Sequence, residues 1–232
     1  MADERAVRRA AVGELGTALR ELVEVSVTTT VPAAELRGAA ELVRQVTERL
    51  AVARRPVSQL PALDDVTTNR RVFSPVTGAG SALAPPLVVR RDADGEGVVG
   101  EATLGVAYEG PPGFVHGGMS ALLMDQMLGS AAAAAGVWGM TAHLELDYRG
   151  PVPLEAKIVL RGRVAETSGR KSVITGSIAL AEDPDTILVE ARGVFVLPRP
   201  DKIEAYFGSI TVSTGRHTPP RRPSDATELE RS

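Results

Sequence analysis

The chain holds 232 residues, 44% hydrophobic and 24% charged, a composition that fits one or two ordinary folded domains. A formal net charge of −3 gives no general attraction to nucleic acid or to an anionic membrane, so no nucleic-acid partner is expected. Cysteine is absent, which excludes disulfides, thiolate catalysis and cysteine-ligated zinc. The opening Met-Ala-Asp-Glu-Arg also lacks the basic and apolar regions of a secretory signal, and the expectation is a cytoplasmic protein.

Residues 1–55 have helical periodicity. Val7, Ala11, Leu15, Leu19 and Leu22 fall on one face, and Leu36, Ala40, Val43, Val46 and Leu50 on another. Thr30 ahead of Pro32 marks the start of the second helix, because proline suits a first turn. Residues 56–85 scatter Pro, Ser, Thr and Gly among apolar residues and read as an irregular connector, so that 1–85 forms an N-terminal helical extension. Strands are expected at 86–92 and 98–108 around the turn Asp94-Gly95-Glu96-Gly97. A long apolar helix follows, from about 117 to 135. The run 119–140 is long enough to suggest a membrane span, but Asp125, Gln126, Gly129, Gly136 and Gly139 argue for a helix buried in protein. Four further strands are expected at 141–148, 156–166, 171–181 and 186–197. The alternation His143-Leu144-Glu145-Leu146-Asp147-Tyr148 fits a half-buried antiparallel strand. Turns at Ser168-Gly169 and Asp183-Pro184-Asp185 join the last three as a meander. The fold class is therefore α+β, an antiparallel sheet wrapped around one helix over 86–198. Residues 199–232 form a tail, with 212–232 expected to be disordered.

Chemistry concentrates in one cassette. His116-Gly117-Gly118 opens the apolar helix, and the ionisable Asp125 sits within it, where burial is costly unless the carboxylate is partnered. A Gly-Gly pair at a helix start leaves backbone N–H groups and the positive end of the helix dipole open to an anion, or to the oxyanion that develops on a carbonyl under attack. Asp125 follows Gly117 by eight residues, about 12 Å along the axis at 1.5 Å per residue. A donor and a base that far apart cannot both serve one small carbonyl. If both act, the simplest geometry takes one from each of two subunits, which predicts a dimer. Each feature also has a plainer reading: Gly117-Gly118 as a turn that permits close packing, Asp125 as a carboxylate capping a loop, His116 as a structural histidine. His116, His143 and His217 are too scattered for a metal cluster, and no cofactor is expected.

The stretch Gly110-Pro111-Pro112-Gly113-Phe114-Val115-His116-Gly117-Gly118, then Asp125, then Thr141-Ala142-His143-Leu144-Glu145-Leu146-Asp147-Tyr148-Arg149-Gly150-Pro151-Val152-Pro153, resembles hotdog-fold acyl-CoA thioesterases. The branch is the phenylacetate-pathway (PaaI-like) one, and the likeness is greatest to the carboxyl-terminal modulator thioesterase group. Glu166-Thr167-Ser168-Gly169-Arg170-Lys171 and Val189-Glu190-Ala191-Arg192-Gly193-Val194-Phe195 extend it, so that it covers roughly 86–198. The resemblance implies hydrolysis of an acyl-CoA to free acid and coenzyme A. Asp125 would be the nucleophile or the base that activates water, and the Gly117 N–H would polarise the thioester carbonyl, with Gly118 beside it at the substrate. Thr141 would orient the attacking water, and His116 would fix the loop or assist at the carbonyl. Some relatives carry an asparagine seven residues before the oxyanion glycine, where this chain has Gly110. A homodimer or a dimer of dimers, with the site at the subunit interface, is implied as well.

A thioester is already activated, so a carboxylate, a water and a backbone oxyanion hole suffice for this chemistry. The phosphates of coenzyme A need cations. Residues 86–198 hold 9 Lys and Arg against 14 Asp and Glu, so a local cluster must serve, with Arg170 and Lys171 first and Arg149 second. Two rival readings are a non-catalytic acyl-CoA or lipid-binding sensor, with the N-terminal helices as a docking module, and a hotdog hydratase.

Overall fold

The computed structural model describes residues 2–65, 71–85 and 87–211. Helices α1 (Ala2–Thr28) and α2 (Ala33–Ala51) come first, then strands β1 (Val88–Arg91) and β2 (Gly97–Thr103) and a 3-10 turn (Val106–Tyr108). Helix α3 (Gly117–Ala134) precedes β3 (Met140–Tyr148), β4 (Lys157–Ser168), β5 (Lys171–Leu180) and β6 (Ile187–Val196), and α4 (Pro200–Phe207) ends the described chain. The six strands form one antiparallel sheet in the order β1-β2-β4-β5-β6-β3. Strand β3 therefore leaves its sequence neighbours and closes the far edge beside β6. The predicted meander is β4-β5-β6, and the predicted wrap is real in that α3 touches all six strands.

Period-two patterning sets the inner face of the sheet. Ile158 and Leu160 on β4, Ile174 and Ile178 on β5, and Val189, Ala191 and Phe195 on β6 point to the helix, while Arg161, Arg163, Thr175, Glu190 and Arg192 face away. Against them α3 buries Ser120, Leu123, Met124, Met127, Leu128, Ala131 and Ala132, one continuous face at helical spacing. The helix rides close because Gly162 and Gly176, paired directly across β4 and β5, lie beneath it. A Cβ on Gly176 would stand 2.6 Å from the Met124 Cε, and one on Gly162 would stand 3.1 Å from the Met127 carbonyl oxygen. Among the described residues no helix is long and apolar enough to cross a membrane, and α3 is a core helix.

The N-terminal extension departs from its sequence pattern. The apolar stripe of α1 does not turn inward; Val7, Leu15 and Leu22 stay exposed. The docked face is instead Arg9, Val12, Gly16, Arg20 and Glu24. Gly16 lets α1 lie against the connector, where a Cβ would meet the Ala79 carbonyl oxygen. Arg9 donates to the Leu63 carbonyl at 2.6 Å, and Arg20 to those of Ala79 and Ser81 at 2.9 and 2.8 Å. The connector itself buries Val72, Val76 and Ala84. Helix α2 begins at Ala33, with Pro32 at the N-cap position and not in the first turn where it was expected; α2 buries no residue, and Leu36, Val43, Val46 and Leu50 are exposed along it.

Two boundaries need correction. The strand expected over 98–108 ends at Thr103 and gives way to the 3-10 turn, whose first N–H groups bond to Glu24 far back in the chain. The segment expected to be tail from 199 onward begins with α4. Pro86, residues 212–232 and His217 lie outside the described residues.

Candidate active site

His116 is the N-cap of α3, with φ −59° and ψ 131°, and its Nδ1 accepts the Gly118 N–H at 2.9 Å. An imidazole accepting at Nδ1 carries its proton on Nε2. The His116 carbonyl accepts from Met119 and Ser120 at 2.8 and 3.3 Å, and its own N–H donates to the Tyr108 carbonyl at 2.9 Å. These bonds settle which helix-start donor stays open. Gly118, expected at the substrate, has its N–H engaged by His116; Gly117 has no hydrogen-bond partner for its N–H among the described residues. The donor that remains points out from the positive end of α3.

Strand β3 braces the cassette at both ends. Tyr148 Oη donates to the Gly117 carbonyl at 2.9 Å, and its ring stands 3.5 Å from where a Gly117 side chain would begin. Thr141 Oγ1 donates to Asp125 Oδ1 at 2.8 Å. Asp125 Oδ2 has no partner among the described residues. Asp125 is half-buried on the flank of α3 beside β3, so the carboxylate escapes the core that the apolar run suggested. Tyr148 is the residue that sequence reasoning missed, since its contact depends on how β3 lies along α3.

Beside Asp125 opens a cavity of about 170 Å³, lined along α3 by Asp125, Gly129, Ala132 and Ala133 and walled by Trp138, Thr141 and Phe195. Spacings of four, seven and eight residues from Asp125 put these small side chains on one face of the helix, which is why the groove stays open. α3 is helical from Gly117 through Asp125, so the two stay about 12 Å apart along its axis and do not meet in one chain.

The three candidate cations differ. Arg149 bonds Glu190 at 2.9 Å and lies 3.5 Å from Asp147, and these carboxylates, Glu190 foremost, hold its guanidinium more firmly protonated than usual. Arg170 Nη1 donates to the Leu197 carbonyl at 3.0 Å. Lys171 pairs with Val196, which pairs in turn with Met140, next to Thr141. Arg170 and Lys171 thus share the sheet end of the Asp125–Thr141 pair, about 10 Å away across two strand spacings. Strand alternation turns Lys171 to the face away from α3, because neighbouring Ser172 is buried against it. Gly110, where some relatives carry asparagine, has no room for a side chain: a Cβ would stand 2.7 Å from the His116 Cα. Nearby, burial pushes the Tyr108 phenol above its usual value, with Arg20 opposing and Glu24 adding, and its hydroxyl donates to the Leu83 carbonyl at 3.2 Å.

Comparison with known proteins bears on this geometry. Residues 112–187 match the family model described as Thioesterase superfamily. The crystal structure of a thioesterase superfamily protein superposes with a TM-score of 0.71 and 37% identity, covering 80% of this chain and 94% of that one. Acyl-coenzyme A thioesterase THEM4 of Mus musculus is 36% identical over 98 residues, and the chain spans 42% of the length of this curated relative and matches it over 42% of its own. A Candida albicans protein named as mitochondrial is 31% identical over 93 residues, 38% of this chain and 42% of that protein. That last match overturns the cytoplasmic expectation. Absence of cysteine limits redox chemistry, but it is no address, and a domain of this kind serves in another compartment.

Proposed function

From a chain that belongs to the thioesterase superfamily, we propose an acyl-CoA thioesterase that hydrolyses its substrate to free acid and coenzyme A. One observation carries the proposal: the Asp125 carboxylate is held at one oxygen by Thr141 and open at the other toward a cavity. In the proposed reaction the free oxygen takes a proton from water as that water attacks the thioester carbonyl carbon. The tetrahedral oxyanion is stabilised by the open Gly117 N–H of a partner subunit. Collapse breaks the carbon–sulfur bond, and the coenzyme thiolate recovers the proton from Asp125. If Asp125 attacks directly, the carbon–sulfur bond breaks and the coenzyme thiolate leaves as an anhydride forms; water then opens the anhydride to the free acid and the Asp125 carboxylate, and the released proton goes to the thiolate. His116 and Gly118 act together as the cap that leaves Gly117 free, and Tyr148 holds the Gly117 peptide.

The acyl group would lie along Gly129, Ala132 and Ala133 toward Trp138. Arg170 and Lys171 are the proposed cations for the coenzyme phosphates, ahead of the already paired Arg149. The assembly is a homodimer or a dimer of dimers, since one chain separates donor from base. The proposed division is a helical extension and connector over 1–85, a hotdog thioesterase domain over 86–198 and a C-terminal segment over 199–232.

The test is thiol release from a panel of short, long and aromatic acyl-CoAs. Wild-type protein should release thiol from at least one, and Asp125→Asn should keep its fold and lose at least about a hundredfold in kcat. Near-normal turnover in the variant removes Asp125 from the mechanism. Silence across the panel favours the acyl-CoA sensor, for which the exposed stripe of α2 would be the docking face.

A further inference from the structure

Among the described residues, Glu24 is the side chain of α1 that hydrogen-bonds the backbone ahead of the cassette, and its bonds lie on a short path to the Gly117 donor. Its Oε1 accepts the Val106 N–H at 2.8 Å and its Oε2 the Ala107 N–H at 3.2 Å. These are the first donors of the 3-10 turn, which no local side chain caps, because its N-cap is Gly105. That glycine is required by the contact: a Cβ there would stand 2.6 Å from both Glu24 carboxylate oxygens. The turn ends at Tyr108, whose carbonyl takes the His116 N–H at 2.9 Å. Next along, Glu109 bridges Val115, and Gly110 donates to the Phe114 carbonyl at 2.9 Å, where a Cβ would stand 2.7 Å from the His116 Cα. The segment 106–110 is thus the template on which 114–116 is laid, and His116 in turn ties up the Gly118 N–H and leaves that of Gly117 open.

We infer that Glu24 is a positioning residue for the thioester reaction: by clamping Val106 and Ala107, it fixes the strand segment that aims the Gly117 N–H. The N-terminal extension is then part of the catalytic apparatus, acting from 82 residues away in sequence. The inference rests on the acyl-CoA thioesterase reading for its kinetic consequence, though not for its structural one. A carboxylate suits this task because two N–H groups side by side need two acceptor oxygens. A charged acceptor also makes stronger bonds than a neutral one. Without it, two partly buried N–H groups lose their partners and the turn has no reason to hold its shape.

The experiment compares full-length wild type, Glu24→Ala, Glu24→Gln and Arg20→Ala by steady-state kinetics and by backbone amide exchange. Arg20→Ala removes bonds between α1 and the connector while leaving both Glu24 bonds to the turn in place, and so reports what merely loosening α1 does. Glu24→Ala should lower kcat about tenfold with KM within about twofold, as expected for a misaimed oxyanion donor. Glu24→Gln, which keeps one acceptor oxygen, should recover part of the loss. Exchange should quicken at 106–108 and 114–118 in Glu24→Ala and stay unchanged in Arg20→Ala. If wild type releases no thiol from any acyl-CoA, the functional reading falls while the exchange arm still decides the clamp. Unchanged exchange at 114–118 in Glu24→Ala overturns the inference, as does an equal effect of Arg20→Ala on kcat and exchange.

Discussion

Thr141 and Tyr148 stand seven residues apart on β3, and each gives a hydroxyl hydrogen to α3. The first settles one oxygen of the Asp125 carboxylate; the second settles the peptide on which the open Gly117 donor sits. Tyr148→Phe keeps the ring and deletes only the donor. It should cost about tenfold in kcat through a less fixed oxyanion hole. The melting temperature should barely move, since the side chain is more than half exposed. Kinetics and thermal melts on the same preparation check this, and wild-type kcat would show that the Gly117 peptide needs no help. Thr141 and Asp125 were legible before folding because a family resemblance names their spacing. Tyr148 was not. Along β3 it reads as one more member of an alternating strand, and only the passage of that strand beside the helix start gives its hydroxyl a partner. Gly117 and Gly118 could not be told apart for the opposite reason: adjacent glycines look alike in sequence, and His116 Nδ1 takes the N–H of one and leaves the other.

Elements were legible where their signal is local. Helix α3 was expected from about 117 to 135 and runs Gly117–Ala134, and the four later strands fall within two residues of their expected ends. What failed depends on distant partners. The 3-10 turn that follows β2 is held by Glu24, and α1 turns a polar, glycine-bearing face inward because the connector offers it carbonyl oxygens. The closeness of α3 to the sheet is also hidden in sequence, since glycines in strands usually signal weakness. Here Gly162 and Gly176 are a seat for the helix. Gly176→Ala should therefore destabilise the protein by about 1–3 kcal/mol through overpacking. The Cβ would press on Met124 and on the Arg161 carbonyl oxygen, which leaves little room to relax. Denaturant unfolding measures this, and a variant as stable as wild type would mean that α3 can lift at no cost.

At the scale of the molecule, α1 is tied to the rest of the chain by specific bonds: arginines on connector carbonyls and one carboxylate on the 3-10 turn. Composition bounded the chain at one or two domains and excluded thiol chemistry. It gave no compartment, and the mitochondrial relative shows why the step from a missing secretory pattern to the cytoplasm is unsafe. Strand β3 is where the whole molecule and the site come together. It lies at the end of the sheet order, so one of its sides carries backbone donors and acceptors that no strand among the described residues pairs. If a second copy lies along that side, the strand that braces Asp125 and Gly117 is itself braced by the union. Activity then obeys mass action: turnover per milligram should fall as the protein is diluted past its dissociation constant and return on concentration. Sedimentation and assay over one dilution series test this, and full turnover from a monomer would sink it. Such a catalyst is governed by its own abundance, so that a modest change in expression alters the number of working sites more than in proportion.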